Sequence, residues 1–242
     1  MKFIKIKTRA VVPPRDSIYP IFDQYLPKLW EGDVLFITSK ILAVHQGRCV
    51  KIMPEVKKDE LIKREAERYL HRALRGYKDF ILTIKNSTLI PSAGIDESNG
   101  NGYYILWPQR ITSLLKELQV YLKKRYKLKN LAVVATDSHT TPLRYGVIGI
   151  SIGFCGLEPL YDYRGRPDIF GRKLKYTKTN VIDSLSAMAV LLMGEGNEMV
   201  PMVILRGAKF VRFTNKDAHR KLFIPPHKDL YAPLLRVFQN KK

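Results

Sequence analysis

Cysteine is scarce in this 242-residue chain, which has only Cys49 and Cys155. Two thiols with no Cys-x-x-Cys spacing argue against a disulfide framework or a thiolate zinc site. No apolar run approaches 18 residues, which argues against a membrane-spanning helix. Met1 to Lys7 alternates Lys with Phe and Ile like an edge strand, with no charged-then-apolar leader, so the expected location is cytoplasmic. Acidic residues are also few: 22 Asp and Glu face 42 Lys and Arg, for a formal net charge of +20. Such an excess suits nucleic acid, an anionic membrane surface or small polyanionic substrates. No segment carries a helix-turn-helix, zinc-finger or aromatic RNP pattern, so charge alone leaves nucleic acid as the minority reading.

What is present is an ordinary globular composition, 45% hydrophobic, long enough for one large domain or two small ones. Periodicity predicts a mixed α/β (α+β) fold. Residues 1 to 12 alternate as a strand before Pro13-Pro14, and a short helix is expected through Tyr19 to Leu29. Val34 to Thr38, Phe80 to Ile84, Leu131 to Ala135 and Met199 to Leu205 read as strands, with Asn86 to Ile90 turning a hairpin. Helical spacing is expected over Asp59 to Gly76, Ile111 to Tyr126 and Val181 to Met193, the last capped by Thr179 or Asn180 with Asp183 in its first turn. A final amphipathic segment covers Tyr231 to Phe238.

Three stretches bear on chemistry. Val34 to Thr38 runs into Ser39-Lys40, a hydroxyl and an ammonium suited to phosphate, although an ordinary strand-to-helix junction contains the same residues. Asp96-Glu97-Ser98-Asn99 suits hard cations and phosphate, and equally a solvated turn. After Leu131 to Ala135 the chain delivers Asp137-Ser138-His139-Thr140-Thr141-Pro142-Leu143-Arg144, with glycines recurring at 146, 149, 153, 156, 165 and 171. A carboxylate at a strand end followed by hydroxyls and a guanidinium suits a metal and phosphate oxygens. The glycines also fit a plain sheet with tight turns.

Taken together, Gly32 to Lys40 (GDVLFITSK), Gly94 to Asn99 (GIDESN), Asp137 with Pro142 and Arg144, Ile152-Gly153 with Gly156-Leu157, Asp162 to Gly165, Asp168 to Arg172, and Met193-Gly194-Glu195 with Pro201 and Arg206-Gly207 resemble the F420-0:gamma-glutamyl ligase family. The likeness runs in order over roughly residues 30 to 207. It implies one ligase-like domain over residues 1–242, of two lobes with the site between them, working as a homodimer. It further implies an acid–amino-acid ligase that adds L-glutamate to a coenzyme acceptor, F420-0 or a related molecule, with GTP or ATP as co-substrate and two divalent metals, Mn²⁺ or Mg²⁺. By the same resemblance Asp96 and Asp137 hold a first metal and Ser138 and Glu195 a second. Ser39, Lys40, Asn99, and Met193, Gly194 and Gly196 within the segment to Val200 take nucleotide.

Chemistry supplies a reason for these residue types. A carboxylate acceptor is a poor electrophile, and phosphorylation by a nucleotide to an acyl phosphate, followed by the amine of glutamate, overcomes this. Metals bridging phosphate oxygens need oxygen ligands, so Asp96, Asp137 and Glu195 are required to converge on one cleft. The substrates are anionic, and Lys40, Arg144, Arg164 and Arg172 are candidates to gather them, with internal pairing to Asp162 and Asp168 an alternative use of the last two arginines. His139 is a candidate acid or base near neutral pH, or a hydrogen-bonded strand-end histidine. The sequence departs from the family where members commonly read Asp-Thr-Phe-Gly-Arg-Pro-Trp-Arg against Asp137 to Arg144 here, and Val44 stands where many have Lys. These departures spare the carboxylates and bear on the acceptor and the nucleotide. Alternatives are a γ-glutamate ligase of folate-like metabolism and a basic nucleic-acid-binding protein on the same scaffold.

Overall fold

A strand covered on both faces has to be apolar throughout, and two stretches of this chain meet that condition. The structure, a computed structural model describing residues 1–71 and 80–240, makes them neighbours: β2 (Asp33–Thr38) and β8 (Leu131–Thr140) pair in parallel, Thr38 opposite Thr136. β12 (Met202–Arg206) runs antiparallel on the far side of β2, with β1 (Lys2–Ile6) beyond it, and β9 (Val147–Cys155) hairpins onto β8. The order is β1-β12-β2-β8-β9.

Alternation divides the side chains of this sheet between two cores. Leu35, Ile37, Val133, Ala135, Met202 and Ile204 pack with α1 (Ile18–Tyr25), α2 (Ser39–Gln46) and α4 (Ile111–Tyr126). Val34, Phe36, Ala132, Val134, Val203 and Leu205 pack under α5 (Val181–Met193). Each fully buried Leu, Ile or Phe contributes about 1.5–3 kcal/mol. The two long helices match their expected bounds. In α4, Leu114, Leu115, Leu118 and Leu122 are buried, and Lys123, Lys124 and Arg125 complement the dipole at its C-terminus. In α5 the Asn180 side chain accepts from the Asp183 N–H at 3.1 Å. Two of the recurring glycines let these helices approach β9. A Cβ on Gly149 would lie 2.5 Å from the Ser186 carbonyl of α5, and one on Gly153 would lie 2.8 Å from Ile111 of α4. A register shift at Ala135/Thr136 leaves Ile152 as the extra residue of β9, so the two glycines meet helices on opposite sheet faces.

A smaller set of elements has its own core of Leu61, Ile62, Ala66, Ile81, Ala93, Ile95, Tyr104 and Leu106. β3 (Cys49–Lys51) pairs with β7 (Tyr103–Ile105), while β4 (Arg68–Leu70), β5 (Leu82–Lys85) and β6 (Thr88–Pro91) form an antiparallel sheet extended by β13 (Phe238–Asn240). Here Glu65 receives Arg48 at 2.6 Å and Lys85 at 3.0 Å, a nearly buried triad. β10 (Leu160–Asp162) pairs with β11 (Lys178–Asn180), and α6 (Ala232–Leu235) is one turn.

Three expectations change. The helix predicted from Asp59 to Gly76 is α3 (Lys58–Glu65) and stops there, because Arg68 and Tyr69 bond across to Ile84 and Thr83 instead of continuing the turn; residues 72–76 lie outside the described residues. The strand expected over residues 1–12 ends at Ile6. The amphipathic segment over Tyr231 to Phe238 resolves into α6 and the start of β13, since Phe238 finds a ladder partner in Leu70. Among the described residues no helix is long and apolar enough to cross a membrane.

Candidate active site

The parallel pairing of β2 and β8 ends at one level, where β2 stops and β8 runs on beside β9 alone. Beyond Thr38 come Ser39 and Lys40, opening α2; beyond Thr136 come Asp137 and Ser138. Clefts outside the carboxyl ends of parallel strands are common ligand sites in α/β sheets. The loop after α5 closes over this point: the Thr38 N–H bonds to the Pro201 carbonyl and the Thr8 N–H to the Met199 carbonyl, both at 3.0 Å. The result is a cleft of about 450 Å³ lined by Thr8, Arg9, Lys40, Asn99, Asp137, Ser138 and Met193 to Pro201, with Val11, Ile41, Val44, Ile105 and Val190 as its apolar wall.

The charged groups are interlocked. The Lys40 ammonium lies 2.7 Å from Asp96 Oδ2 and donates to Ser98 Oγ at 2.9 Å. Burial pushes the Asp96 carboxyl up, but Lys40 and the Ser98 donors outweigh it and hold the group below its ordinary value. Asp137 Oδ2 accepts from the Trp107 indole N–H, and Oδ1 accepts from the Ser138 backbone N–H at 2.8 Å. Burial drives Asp137 to about 6, against these donors and the Ser39 hydroxyl and with help from the Asp96 charge. Ser138 Oγ donates to Glu195 Oε2 at 3.4 Å. Loss of water around Glu195 raises its carboxyl despite Lys40 and Ser138, and the charges of Asp96 and Glu198 add to the rise. Asn99 Nδ2 donates to the Gly196 carbonyl at 3.0 Å, joining the two loops that border the cleft.

Asp137 and Glu195 therefore line one cleft, and Asp96 lies close enough to act electrostatically on both. Ser39 is buried at the base of this region with its hydroxyl on Asp137. Among the described residues no cluster of three or more His, Cys, Asp and Glu is assembled to hold a metal unaided. The oxygen donors are instead Asp137, Ser138 and Glu195 along the cleft, with Asp96 near enough for its charge to act on both carboxylates. That set fits Mg²⁺ or Mn²⁺ recruited with a polyphosphate, since Mg²⁺ typically takes one or two carboxylates and completes its shell with phosphate oxygens and water.

Other expected residues lie elsewhere. Arg144 is exposed at the apex of the β8–β9 hairpin and does not line the cleft. His139 does not line it either; burial lowers its pKa, opposed by the nearby Asp183 charge. Arg164 pairs with Asp162 at 2.7 Å and serves the loop it sits in, while Arg172 gives its backbone N–H to Asp168 Oδ1 at 2.9 Å and its exposed side chain does not line the cleft. Arg206 is likewise scaffold, clamped on buried Asp33 at 2.9 and 2.7 Å and stacked 4.0 Å from the Trp30 ring centre.

Sequence reasoning missed Thr8, Arg9, Trp107 and Glu198. Thr8 and Arg9 follow an edge strand and carry no motif. Trp107 reads as one more apolar residue. Glu198 lay within the nucleotide segment Met193 to Val200 without being singled out, yet it accepts the Gly196 N–H at 2.9 Å, and a Cβ on Gly194, at φ 79°, would sit 2.3 Å from its carboxylate carbon.

A family model described as F420-0:Gamma-glutamyl ligase matches residues 5–207. The chain is 34% identical over 224 residues to the coenzyme F420:L-glutamate ligase of Methanopyrus kandleri, covering 84% of this chain and 87% of that protein. It is 31% identical over 226 residues to the coenzyme F420:L-glutamate ligase of Methanocaldococcus jannaschii, covering 88% and 86%. A third similar protein, the coenzyme F420:L-glutamate ligase of Methanothermobacter thermautotrophicus, is 28% identical over 218 residues.

Proposed function

The chain belongs to the F420-0:gamma-glutamyl ligase family, and we propose that it is a metal- and nucleoside-triphosphate-dependent ligase joining L-glutamate to a coenzyme acceptor, F420-0 or a close relative. The observation that carries this reading is the single cleft in which Lys40, Asn99, Asp137, Ser138 and Glu195 meet, each at a position the family resemblance had marked. In the proposed reaction an acceptor carboxylate oxygen attacks the γ-phosphorus of GTP or ATP and the bond to the β-phosphate oxygen breaks, releasing nucleoside diphosphate. The amine of glutamate then attacks the acyl carbon, loses a proton and expels inorganic phosphate.

Divalent metal, held by Asp96 with Asp137 and by Ser138 with Glu195, supplies charge neutralisation on the phosphate oxygens. The chain's own groups do the rest. Lys40 offers an ammonium beside the carboxylates, suited to a phosphate oxygen. Asn99 and Glu198 hold the 194–201 loop as the nucleotide-covering wall. Val11, Ile41, Val44 and Ile105 offer an apolar surface for a ring system. We read the chain as one domain of two lobes, the smaller-core elements and the main sheet, with Asp96 and Asn99 brought to the cleft from the former.

The active form is proposed to be a homodimer. Leu143 and Tyr145 at the hairpin apex are fully exposed, as are nearly all of Ile169, Phe170 and Tyr176 in the 163–177 loop. Exposed apolar groups of this size, concentrated in two segments, favour a protein interface.

The test incubates purified protein with GTP or ATP, Mn²⁺, L-glutamate and a panel of deazaflavin and pterin acceptors, with products read by mass. A glutamylated deazaflavin formed only with metal and nucleotide supports the reading. Glutamylation of pterins alone would move the activity to folate-like metabolism, and no product with any acceptor, together with salt-sensitive oligonucleotide binding, would overturn it.

A further inference from the structure

We infer that Trp107 is a positioning residue for Asp137, an inference that rests on the proposed role of Asp137 in holding metal. Trp107 is buried in the main core beneath the cleft, 1% exposed, and its indole N–H meets Asp137 Oδ2. The other oxygen is held by the Ser138 backbone N–H at 2.8 Å. With a fixed N–H donor on each oxygen and the Ser39 hydroxyl on the same group, the carboxylate plane is held. An indole N–H only donates, so it cannot reverse its role as a hydroxyl can. It therefore commits one lone pair of Oδ2 to the core, and the lone pairs that Trp107, Ser138 and Ser39 do not take are left for a ligand.

The ring is itself locked. A Cβ on Gly94 would lie 2.1 Å from Trp107 Nε1, so the backbone two residues before Asp96 rests against the indole edge. The Lys85 ammonium stands 5.8 Å from the ring centre and is anchored by Glu65 at 3.0 Å. One side chain thus touches both the segment that carries Asp96 and the carboxylate of Asp137. Those two groups are the pair proposed to share a cation, and Trp107 sets the spacing between them. Donors that orient a ligating group typically change metal affinity 10–100-fold when lost.

The chain has two tryptophans, and Trp30, stacked on Arg206 outside the cleft lining, serves as an internal control. In ¹⁵N-labelled full-length protein, Mn²⁺–tripolyphosphate should broaden the Trp107 indole resonance and spare that of Trp30. Asp137→Asn should shift the Trp107 indole resonance without any metal. Trp107→Phe, which keeps a ring and removes the donor, should bind Mn²⁺–tripolyphosphate about 10- to 100-fold more weakly while the Trp30 resonance and the melting curve report an intact fold. If Trp107→Phe binds as tightly as the wild type, or Asp137→Asn leaves the indole resonance in place, the positioning role is overturned and the metal reading stands. If the wild type itself fails to bind the complex, the metal reading falls and takes this inference with it. Should Trp107→Phe not fold, the wild-type and Asp137→Asn spectra still decide.

Discussion

Asn99 Nδ2 reaches the carbonyl of Gly196 at 3.0 Å, a bond between loops 97 residues apart that borders the candidate cleft. Asn99 also sits at φ 57°, a left-handed conformation that asparagine tolerates better than most residues. Side chain and backbone therefore serve the same junction.

Separating these two contributions gives the first prediction. Asn99→Gly keeps the backbone conformation and loses the bond, which should raise the KM for nucleotide roughly 2- to 10-fold, as expected for a hydrogen bond worth about 0.5–1.5 kcal/mol. Asn99→Ala adds backbone strain and should be worse on both KM and thermal stability. Equal steady-state constants for wild type and Asn99→Gly would remove Asn99 from the nucleotide site.

Asp137 offers a trade between activity and stability. Its folded-state carboxyl is raised to about 6 by burial, so the fold binds that proton more tightly than the unfolded chain does. The stabilisation from protonation is fully present below the unfolded value near 4 and disappears as pH rises through about 6. At neutral pH the ionised group costs the fold about 1–3 kcal/mol. Asp137→Asn should therefore lower turnover by orders of magnitude and, in the presence of chelator, remove the loss of stability that the wild type shows as pH rises from about 4 through about 6. A variant with the same pH dependence of melting temperature as the wild type over that range would contradict this electrostatic account.

The Arg48–Glu65–Lys85 triad predicts the opposite kind of change. Burial pushes Glu65 up, but Lys85 and Arg48 prevail and hold it below its ordinary value, while burial lowers Lys85. Glu65→Ala leaves Lys85 nearly buried without a counter-charge and should cost about 3–5 kcal/mol in a urea titration. In the wild type the Glu65 contribution is present above its unfolded pKa and is lost as pH falls through the folded one. A cost under 1 kcal/mol would mean that Lys85 finds water or another partner.

For the hairpin apex, Leu143→Ser with Tyr145→Ser removes two fully exposed apolar groups. Sedimentation should give a dimer for wild type and a monomer for the double variant, with no loss of melting temperature beyond that due to dissociation. A monomeric wild type at micromolar concentration would remove the basis for the proposed interface.

Much of this was legible in the residues. Helices α4 and α5 were readable because apolar residues recur at helical spacing along both, and because α5 is bracketed by Asn180 and Gly194. The metal and nucleotide candidates were legible as motifs, and all of them but Ser39 and Asp96 line the cleft. What local pattern could not supply was long-range pairing. Tyr69 and Leu70 fit a helical period but are claimed by β5 and β13, and Arg144 and His139 follow Asp137 closely in sequence yet leave the cleft as β8 runs on into its hairpin. Trp107 was invisible for a related reason: a buried indole and a buried leucine look alike until the atom facing Nε1 is known.

The Thr38–Thr136 pairing has a practical consequence for redesign. Side chains alternate along a strand, so a slip by a single position would turn Asp137 away from the Ser39 hydroxyl and the Trp107 indole and offer a hydroxyl instead. The meeting of these groups is thus written first into main-chain bonding. Engineering a new acceptor preference can leave both ribbons untouched and exchange only the apolar wall formed by Val11, Ile41, Val44 and Ile105.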